Sequence, residues 1–559
     1  MNRSATAGTL LLAVLACATA VSPAVARARL ALRHVTLDLP GSPSKVIPSD
    51  LDGDGLTDLV VVVAYTEIQS IGGDRIENLV HVSTVIPAVF DHREARAYLA
   101  TQGGGYRSAG APLELPQKML HMEPARGTGV IALTDDGIAR LRYSPSGDGP
   151  ALRLEPLVED APILARTRTF YASLELVADL NGDEIDDVLL PGPDSLAIYL
   201  GNGEGLTTPA ASRVEIPGRE QRLDDEVRRS YPMPAVRDVD GDRIADLIFS
   251  GSFARQSPGE HHVLLGSAEG VFRPIRSDPL DCHDRLTDLR ISVADPSAYP
   301  WPEGLVALRD LDGNGRAEAV FVDERSRGDS FRKEMKDAKK PISEYRFHRL
   351  NDDLSIVAEP YFRTEVIGHT MGERGAQEDE EEFAFHIEQF QDLDGDGRED
   401  LVTVTLDFSL FQAIKILATK RIGIGLDFHV YAQDGDGAFH EVPNLDLSEK
   451  LKLDLNDLKV GRFGQFAGDF DGDGRQDFAH LGRGRDVTLH GGRPGCDYPR
   501  DADLSIRLDE EPASLDLVRI EDLDGDGRAD IRITRPLPTE DPDTTAAARL
   551  DLYLTGDAP

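Results

Sequence analysis

Residues 392–400 read DLDGDGRED, and this short stretch decides the fold because it recurs six times more. Counterparts begin at Asp50 (DLDGDGLTD), Asp179 (DLNGDEIDD), Asp238 (DVDGDRIAD), Asp310 (DLDGNGRAE), Asp469 (DFDGDGRQD) and Asp522 (DLDGDGRAD). Every copy has an oxygen-bearing side chain at positions 1, 3, 5 and 9 and glycine at position 4; five copies carry glycine at position 6 as well. Calcium takes about six to eight oxygen ligands at about 2.3–2.6 Å, mostly carboxylates and carbonyls. A chain curling round the ion can offer side chains from positions 1, 3, 5 and 9 and a carbonyl from position 7. Glycine permits the positive φ that so tight a curl needs.

The candidate ligands follow by position. They are Asp50, Asp52, Asp54 and Asp58; Asp179, Asn181, Asp183 and Asp187; Asp238, Asp240, Asp242 and Asp246; and Asp310, Asp312, Asn314 and Glu318. The remaining copies supply Asp392, Asp394, Asp396 and Asp400; Asp469, Asp471, Asp473 and Asp477; and Asp522, Asp524, Asp526 and Asp530. Glu184 and Arg243 stand at position 6, where a side chain at positive φ costs on the order of 1 kcal/mol, so those two copies are the weakest sites. About five to seven bound Ca²⁺ per chain are expected.

A lone acidic turn of this kind would say little, since such turns are common. Seven copies with like flanks say more. Short apolar runs precede the loops (KVIPS, LELVA, AVR, GLVAL, IEQF, GQFAG, LVRI) and follow them (DLVVVV, DVLLP, DLIFS, EAVFV, DLVTV, DFAHL, DIRIT). Their length and β-branched content predict strands. An EF-hand is excluded, because position 12 lacks its bidentate Glu (it is Val61 in the first copy) and the flanks are not helical.

The unit strand, DxDGDGxxD loop, strand resembles the FG-GAP/VCBS repeat of integrin α-subunits and of many bacterial exported proteins. The second half of that repeat, a strand ending in a glycine turn, has likenesses in LAIYLGNGEGL (196–206), VLLGSAEGVF (263–272), FHVYAQDGDGAF (428–439), VTLHGG (487–492) and LDLYLTG (550–556). The resemblance covers nearly the whole chain after its first residues. It implies an all-β propeller of four-stranded blades, with calcium in the loop between the first two strands of a blade.

Successive loops start 53 to 82 residues apart, except for an interval of 129 between Asp50 and Asp179. Within that gap, GVIALTDDGIARLRY (129–143) reads as two strands about Asp135-Asp136-Gly137, a blade that has lost its metal loop. Eight blades result, or seven if this stretch is an insertion. The last unit has only three strands before the chain stops, and LALRHVTLDL (30–39) is an unassigned strand. Pairing the two would close the ring and remove its exposed edges.

The chain carries 99 Asp and Glu against 60 Lys and Arg, a net charge of −39. Such an excess argues against nucleic acid and anionic membrane as partners and for bound cations. Residues 1–26 resemble a signal peptide, with Arg3, the apolar Leu10–Ala16 and the small-residue site Ala24-Val25-Ala26, leaving 27–559 as one propeller. A secreted, periplasmic or cell-surface protein is expected. Val14-Leu15-Ala16-Cys17 also resembles a lipobox, although Leu15 departs from it, so simple secretion is favoured over a lipid anchor at Cys17. No stretch approaches the roughly 20 apolar residues of a membrane helix. Cys282 and Cys496 read as unpaired thiols in different repeats.

The surplus length falls in charged excursions at about 324–345 and 372–382, and FSLFQAIKILATKR (408–421) has apolar residues near helical spacing. Arg327-Gly328-Asp329-Ser330 matches an adhesion tetrapeptide, which chance explains in a chain rich in these residues. His261-His262 lacks an HExxH context, and GxSxG and GxxxxGK[ST] are absent. Trp301 is the single tryptophan, against docking motifs built on that residue. With no catalytic motif, the expected function is a binding or scaffold module for a protein or glycan ligand. An extracellular polysaccharide-active enzyme and a calcium-dependent lectin are the alternatives, since fold alone does not choose among them.

Overall fold

The computed structural model describes residues 28–65, 92–161, 169–170, 176–250, 261–274, 304–324, 342–368, 389–407, 421–537 and 547–556, apart from short breaks of one to four residues. It is a ring of eight four-stranded antiparallel blades. Their strands, a to d, span 42–108, 119–159, 177–215, 235–274, 304–367, 390–454, 459–507 and 518–555, the last completed by Leu32–Leu39. The mid-gap stretch 129–143 is therefore a true blade, the second. No helix among the described residues is long and apolar enough to cross a membrane.

The strands after the loops form because they can be buried on both faces. In blade 1, Asp58–Tyr65 (DLVVVVAY) points Val60, Val62 and Ala64 into a core shared with Met122, Val130 and Leu141 of blade 2. Leu59, Val61 and Val63 point the other way, against Leu550, Leu552 and Leu554 of blade 8. The alternation of period two thus feeds two cores rather than one core and solvent. Each valine removed from water on this pattern contributes about 1.5–3 kcal/mol. Further clusters bridge blades 2 and 3, 3 and 4, 4 and 5, and 5 and 6, while one large cluster joins blades 6, 7 and 8.

The ring closes as its sequence requires. Leu32–Leu39 lies antiparallel to Ala548–Thr555 over its full length, from Leu32 opposite Thr555 to Leu39 opposite Ala548, and it is the fourth strand of blade 8. Leu37 and Leu39 are buried. Just before it, Ala28–Arg29 runs parallel to Leu504–Arg507 at the edge of blade 7, so the N-terminal segment joins two blades.

Blade 2 lacks the metal loop as expected, its place between the first and second strands being taken by the tight turn Arg126–Thr128, while Gly137 opens the third strand. Several features differ from expectation. The excursion after Glu324 ends before 345, because Ile342–Arg349 is already strand with Tyr345 fully buried. Blades 6 and 7 are continuous, since the long strand Leu445–Asp454 pairs with Lys459–Phe466. An added hairpin, Arg219–Leu223 with Glu226–Ser230, pairs with Thr169–Phe170. Cys496 is a free, buried thiol. Residues 1–26, Cys282, Trp301, 327–330, 372–382 and 408–420 lie outside the described residues.

Removing residues 1–40 leaves Ala548–Thr555 paired on one side only and takes Leu37 and Leu39 out of the core they share with Leu550, Leu552 and Leu554. The truncated chain should melt at a lower temperature and associate through the bared edge. Thermal melts and size-exclusion chromatography against the full chain test this; an unchanged melt would mean that the ring does not depend on its N-terminal strand.

Candidate metal centres

All seven repeats fold as the same loop between the first and second strands of a blade, in blades 1 and 3 to 8. Its shape is set by side chains bonding backbone. At position 1, Asp392 accepts from Gly395 N–H on Oδ1 (2.8 Å) and from Gly397 N–H on Oδ2 (2.9 Å). Asp50, Asp469 and Asp522 repeat that pair with their own glycines. Position 5 accepts from the N–H of position 7, as Asp396 does from Arg398 at 2.9 Å. The residue at position 6 has positive φ throughout, and the two exceptions to glycine conform: Glu184 at 67° and Arg243 at 70°. Their backbone hydrogen bonds to Asp179 and Asp238 hold them in that conformation.

Position 9 opens the second strand and is buried in every loop. Asp58 accepts Leu51 N–H on one oxygen (2.9 Å) and Ala100 N–H, at the end of the third strand, on the other (2.7 Å). The same double bond is made by Asp187 to Leu180 and Gly201, Asp246 to Val239 and Gly266, Asp400 to Leu393 and Gln433, Asp477 to Phe470 and Gly492, and Asp530 to Leu523 and Thr555. In blade 5, Glu318 accepts from Leu311 N–H and from the Arg349 guanidinium instead.

These side chains converge. In at least five loops, three carboxylates each offer an oxygen within 4.8 Å of the others: Asp50, Asp52 and Asp58; Asp238, Asp240 and Asp246; Asp310, Asp312 and Glu318; Asp392, Asp394 and Asp400; and Asp469, Asp471 and Asp473. The donor set is all oxygen and anionic, which suits a hard cation such as Ca²⁺. A further observation fits a cation there. Asp394, Asp471 and Asp524, all at position 3, each keep a buried Oδ1 that no hydrogen-bond donor reaches. An unmatched buried oxygen of this kind costs about 1–3 kcal/mol or more when charged.

The loops also touch one another round the ring. A Cβ on the position-4 glycine would strike the next loop's position-6 carbonyl: Gly182 meets Arg243 O at 2.8 Å, Gly241 meets Gly315 O at 2.5 Å, Gly313 meets Gly397 O at 2.6 Å and Gly395 meets Gly474 O at 2.3 Å. Gly472 and Gly525 abut Arg528 and Thr57, while Gly53, which faces the loop-less blade 2, has nothing within 4 Å. Position-8 N–H groups bond backward to the preceding loop, Ala317 to Val239 O, Glu399 to Leu311 O and Gln476 to Leu393 O. At blade 2, the Arg126 carbonyl takes over this role by accepting Asp186 N–H of the third blade (3.1 Å), and the Arg126 backbone N–H and guanidinium both donate to the Asp186 carboxylate.

Sequence reasoning missed three neighbours of the loops. Gly495 N–H donates to Asp394 Oδ2, the Cys496 thiol bonds Asp400, and Arg349 reaches two carboxylates of the blade 5 loop. None lies in a motif, so their positions carry no signal; only tertiary packing brings them there.

Residues 179–249 match the family model described as an FG-GAP-like repeat, a span that holds two of the loops and most of blade 3. A ring of blades strung together by acidic loops defines a β-propeller. Together with the family match it makes this chain an FG-GAP-repeat β-propeller. No curated protein matches it. Among solved structures, it is similar to an Agrocybe aegerita lectin described for specific recognition of non-reducing terminal N-acetylglucosamine, at 14% identity, over 75% of this chain and 80% of that one, with a TM-score of 0.31. It is also similar to TcdB2-TccC3, without and with its hypervariable C-terminal region, at 12% and 10% identity and TM-scores of 0.16 and 0.15; 93% of this chain is covered, and it spans 28% of each of those chains.

Two predictions come from the loop geometry. Gly397 (φ 82°) has open space where a Cβ would go, whereas Gly395 (φ 73°) faces the Gly474 carbonyl. Gly397→Ala should cost about 1 kcal/mol, the left-handed penalty alone, and Gly395→Ala distinctly more because neighbouring blades must part. Denaturant unfolding in calcium compares them; equal losses would remove the loop-to-loop contact as a source of stability.

The second concerns pH. Burial, reinforced by neighbouring loop carboxylates and opposed by backbone N–H bonds, pushes Asp187, Asp246, Asp477 and Asp530 up to about 7. Burial likewise pushes Asp400 up to about 6, against its bonds from the Cys496 thiol and from backbone N–H groups. Unfolded, such groups titrate near 4. The folded protein therefore binds more protons between about pH 4 and about pH 7, and these groups' contribution to stability falls as pH rises through that window. Chelated protein should melt higher at about pH 5 than at about pH 7.5, while calcium affinity should rise with pH. Melts in chelator and calcium titrations at both pH values decide it; a chelated melt that climbs with pH would contradict the burial of these carboxylates.

Proposed function

We propose that the chain is an exported calcium-binding propeller that serves as a binding or scaffold module, with Ca²⁺ as a structural element of its blade loops. The FG-GAP propeller fold supports a binding or scaffold role. The observation that carries the metal is the buried, donor-less Oδ1 at position 3 of three loops whose position-1 and position-9 carboxylates are tied to backbone N–H groups. About five to seven ions would neutralise part of the −39 net charge. Two like charges about 4 Å apart repel by about 4 kcal/mol at a surface-like dielectric, so the gain on metal binding is large at each loop. Because the ligands converge only in the folded ring, Ca²⁺ stabilises it by mass action. Export rests on Arg3, Leu10–Ala16 and Ala24-Val25-Ala26.

The deciding experiment is a thermal melt of the purified protein in calcium and after chelation, with bound metal counted on the same sample. A melt lowered by many degrees on chelation, with several calcium ions per chain, is expected. No metal and an unchanged melt would reduce the loops to acidic turns. Glycan arrays and protein pull-downs in calcium then separate the two ligand classes, and the mass of the exported protein reports cleavage after Ala26.

A further inference from the structure

The loop of blade 5 differs from the others in what faces it. Arg349 ends the third strand of its blade, Ile342–Arg349, and its guanidinium turns onto the loop. One terminal nitrogen donates to Oδ2 of Asp312 at 2.8 Å, and the other donates to Oε1 of Glu318 at 3.0 Å. Asp312 and Glu318 are positions 3 and 9, two of the three carboxylates that converge here with Asp310. A guanidinium stays charged and offers its donors in a rigid fork, so it can bridge two carboxylates as a metal ion would.

The surroundings fix it there. The guanidinium carbon lies 4.6 Å from the centroid of the Tyr361 ring, a cation–π contact. A turn of blade 6 covers the same place: a Cβ on Gly437 would come within 3.2 Å of the Tyr361 ring and 3.5 Å of Asp312 Oδ2. The loop itself is altered in the matching sense. Asn314 removes one carboxylate at position 5, and Glu318 extends position 9 by a methylene toward Arg349. The neighbours differ at position 3. In blades 6, 7 and 8 its Oδ1 is buried without a donor, whereas in blade 5 both oxygens of Asp312 are met, Oδ1 by Asn314 N–H at 3.3 Å and Oδ2 by Arg349. Other arginines at the loops reach less: Arg398 and Arg475 touch only position 5 of their own loops, and Arg33 touches Asp524 from the N-terminal strand.

We infer that Arg349 is the resident cation of the loop Asp310–Glu318, so that blade 5 is held without metal while the other loops take Ca²⁺. A guanidinium whose nitrogens sit on two of the needed oxygens and a calcium ion exclude each other. This rests on the calcium reading for the remaining loops.

The test counts calcium on the full chain, gel-filtered from saturating calcium, for the wild type and for Asp312→Asn, Asp394→Asn and Arg349→Met. The wild type should hold one ion fewer than it has loops. Asp312→Asn should leave that count unchanged, whereas Asp394→Asn should lower it by one. Arg349→Met should raise the count by one, melt below the wild type in chelator, and recover in calcium. Should Asp394→Asn fail to fold, Asp471→Asn replaces it. A count that falls with Asp312→Asn, or that does not rise with Arg349→Met, overturns the inference and leaves the calcium reading standing. A wild type free of calcium overturns that reading, and this inference with it.

Discussion

The structure depends on a carboxylate that opens the second strand of seven blades. At position 9 its two oxygens reach in opposite senses along the chain, back to the N–H of position 2 and forward, in six blades, to an N–H at the end of the third strand. One side chain therefore fixes how the loop leaves the first strand and where the third strand stops. Buried hydrogen bonds to a charged group are stronger than neutral ones, at about 1.5–3 kcal/mol each. Their donors would otherwise be orphaned at a strand end. Lengthening the side chain to Glu in blade 5 keeps the first bond and exchanges the second for a guanidinium, so the latch tolerates a change of partner.

Blades so latched become stackable. In four loops the next loop's carbonyl stands where a Cβ at position 4 would be, which requires glycine there, and position 8 supplies the N–H that bonds back to the preceding loop. The loops thus form a contact chain beside the apolar cores that join the blades. The chain is broken at one place, blade 2, and there Arg126 bonds Asp186 through both main chain and side chain. The substitution of an arginine for a whole loop is local and complete: Gly53, which would have met that loop, is free of neighbours.

What the sequence made legible was whatever repeats or alternates. The seven loops, the flanking strands, the blade hidden at 129–143 and the closure by the N-terminal strand all carry local patterns, and all eight blades follow from them. The closing strand begins at Leu32 rather than at 30, within the usual fraying of an end. Other features depend on contacts between segments distant in sequence. That Asp58–Tyr65 buries both faces follows from having a blade on either side, and a hydrophobic run by itself does not distinguish this from a single core. The merging of blades 6 and 7 needs two strands to outgrow their blades together. Ile342–Tyr345 was concealed inside a charged excursion because its partners, Glu318–Glu324 and Phe362–Ile367, decide that it is strand. In the candidate sites the acidic loop positions were readable, but Gly495, Cys496 and Arg349 arrive from other strands and turns.

The same physical problem, a cluster of acids that folding drives together, is met by different means round one ring. Where the loop is absent, a single acid, Asp186, is matched by Arg126. Where the loop is present with an arginine at hand, Asp312 and Glu318 are matched by the guanidinium of Arg349. Where position 3 is left with a buried, donor-less oxygen, as at Asp394, Asp471 and Asp524, the protein's own hydrogen-bond donors do not complete the match. An arginine is covalently present at all times and makes its blade independent of the supply of a diffusible cation. A diffusible cation makes its blades conditional on concentration through mass action. On the proposed calcium reading, a ring with both kinds of blade would depend on the cation in some sectors and not in others. Blades 2 and 5 would then be the sectors that keep their form when the cation is scarce, and blades 6, 7 and 8, with their donor-less oxygens, the ones that depend on it.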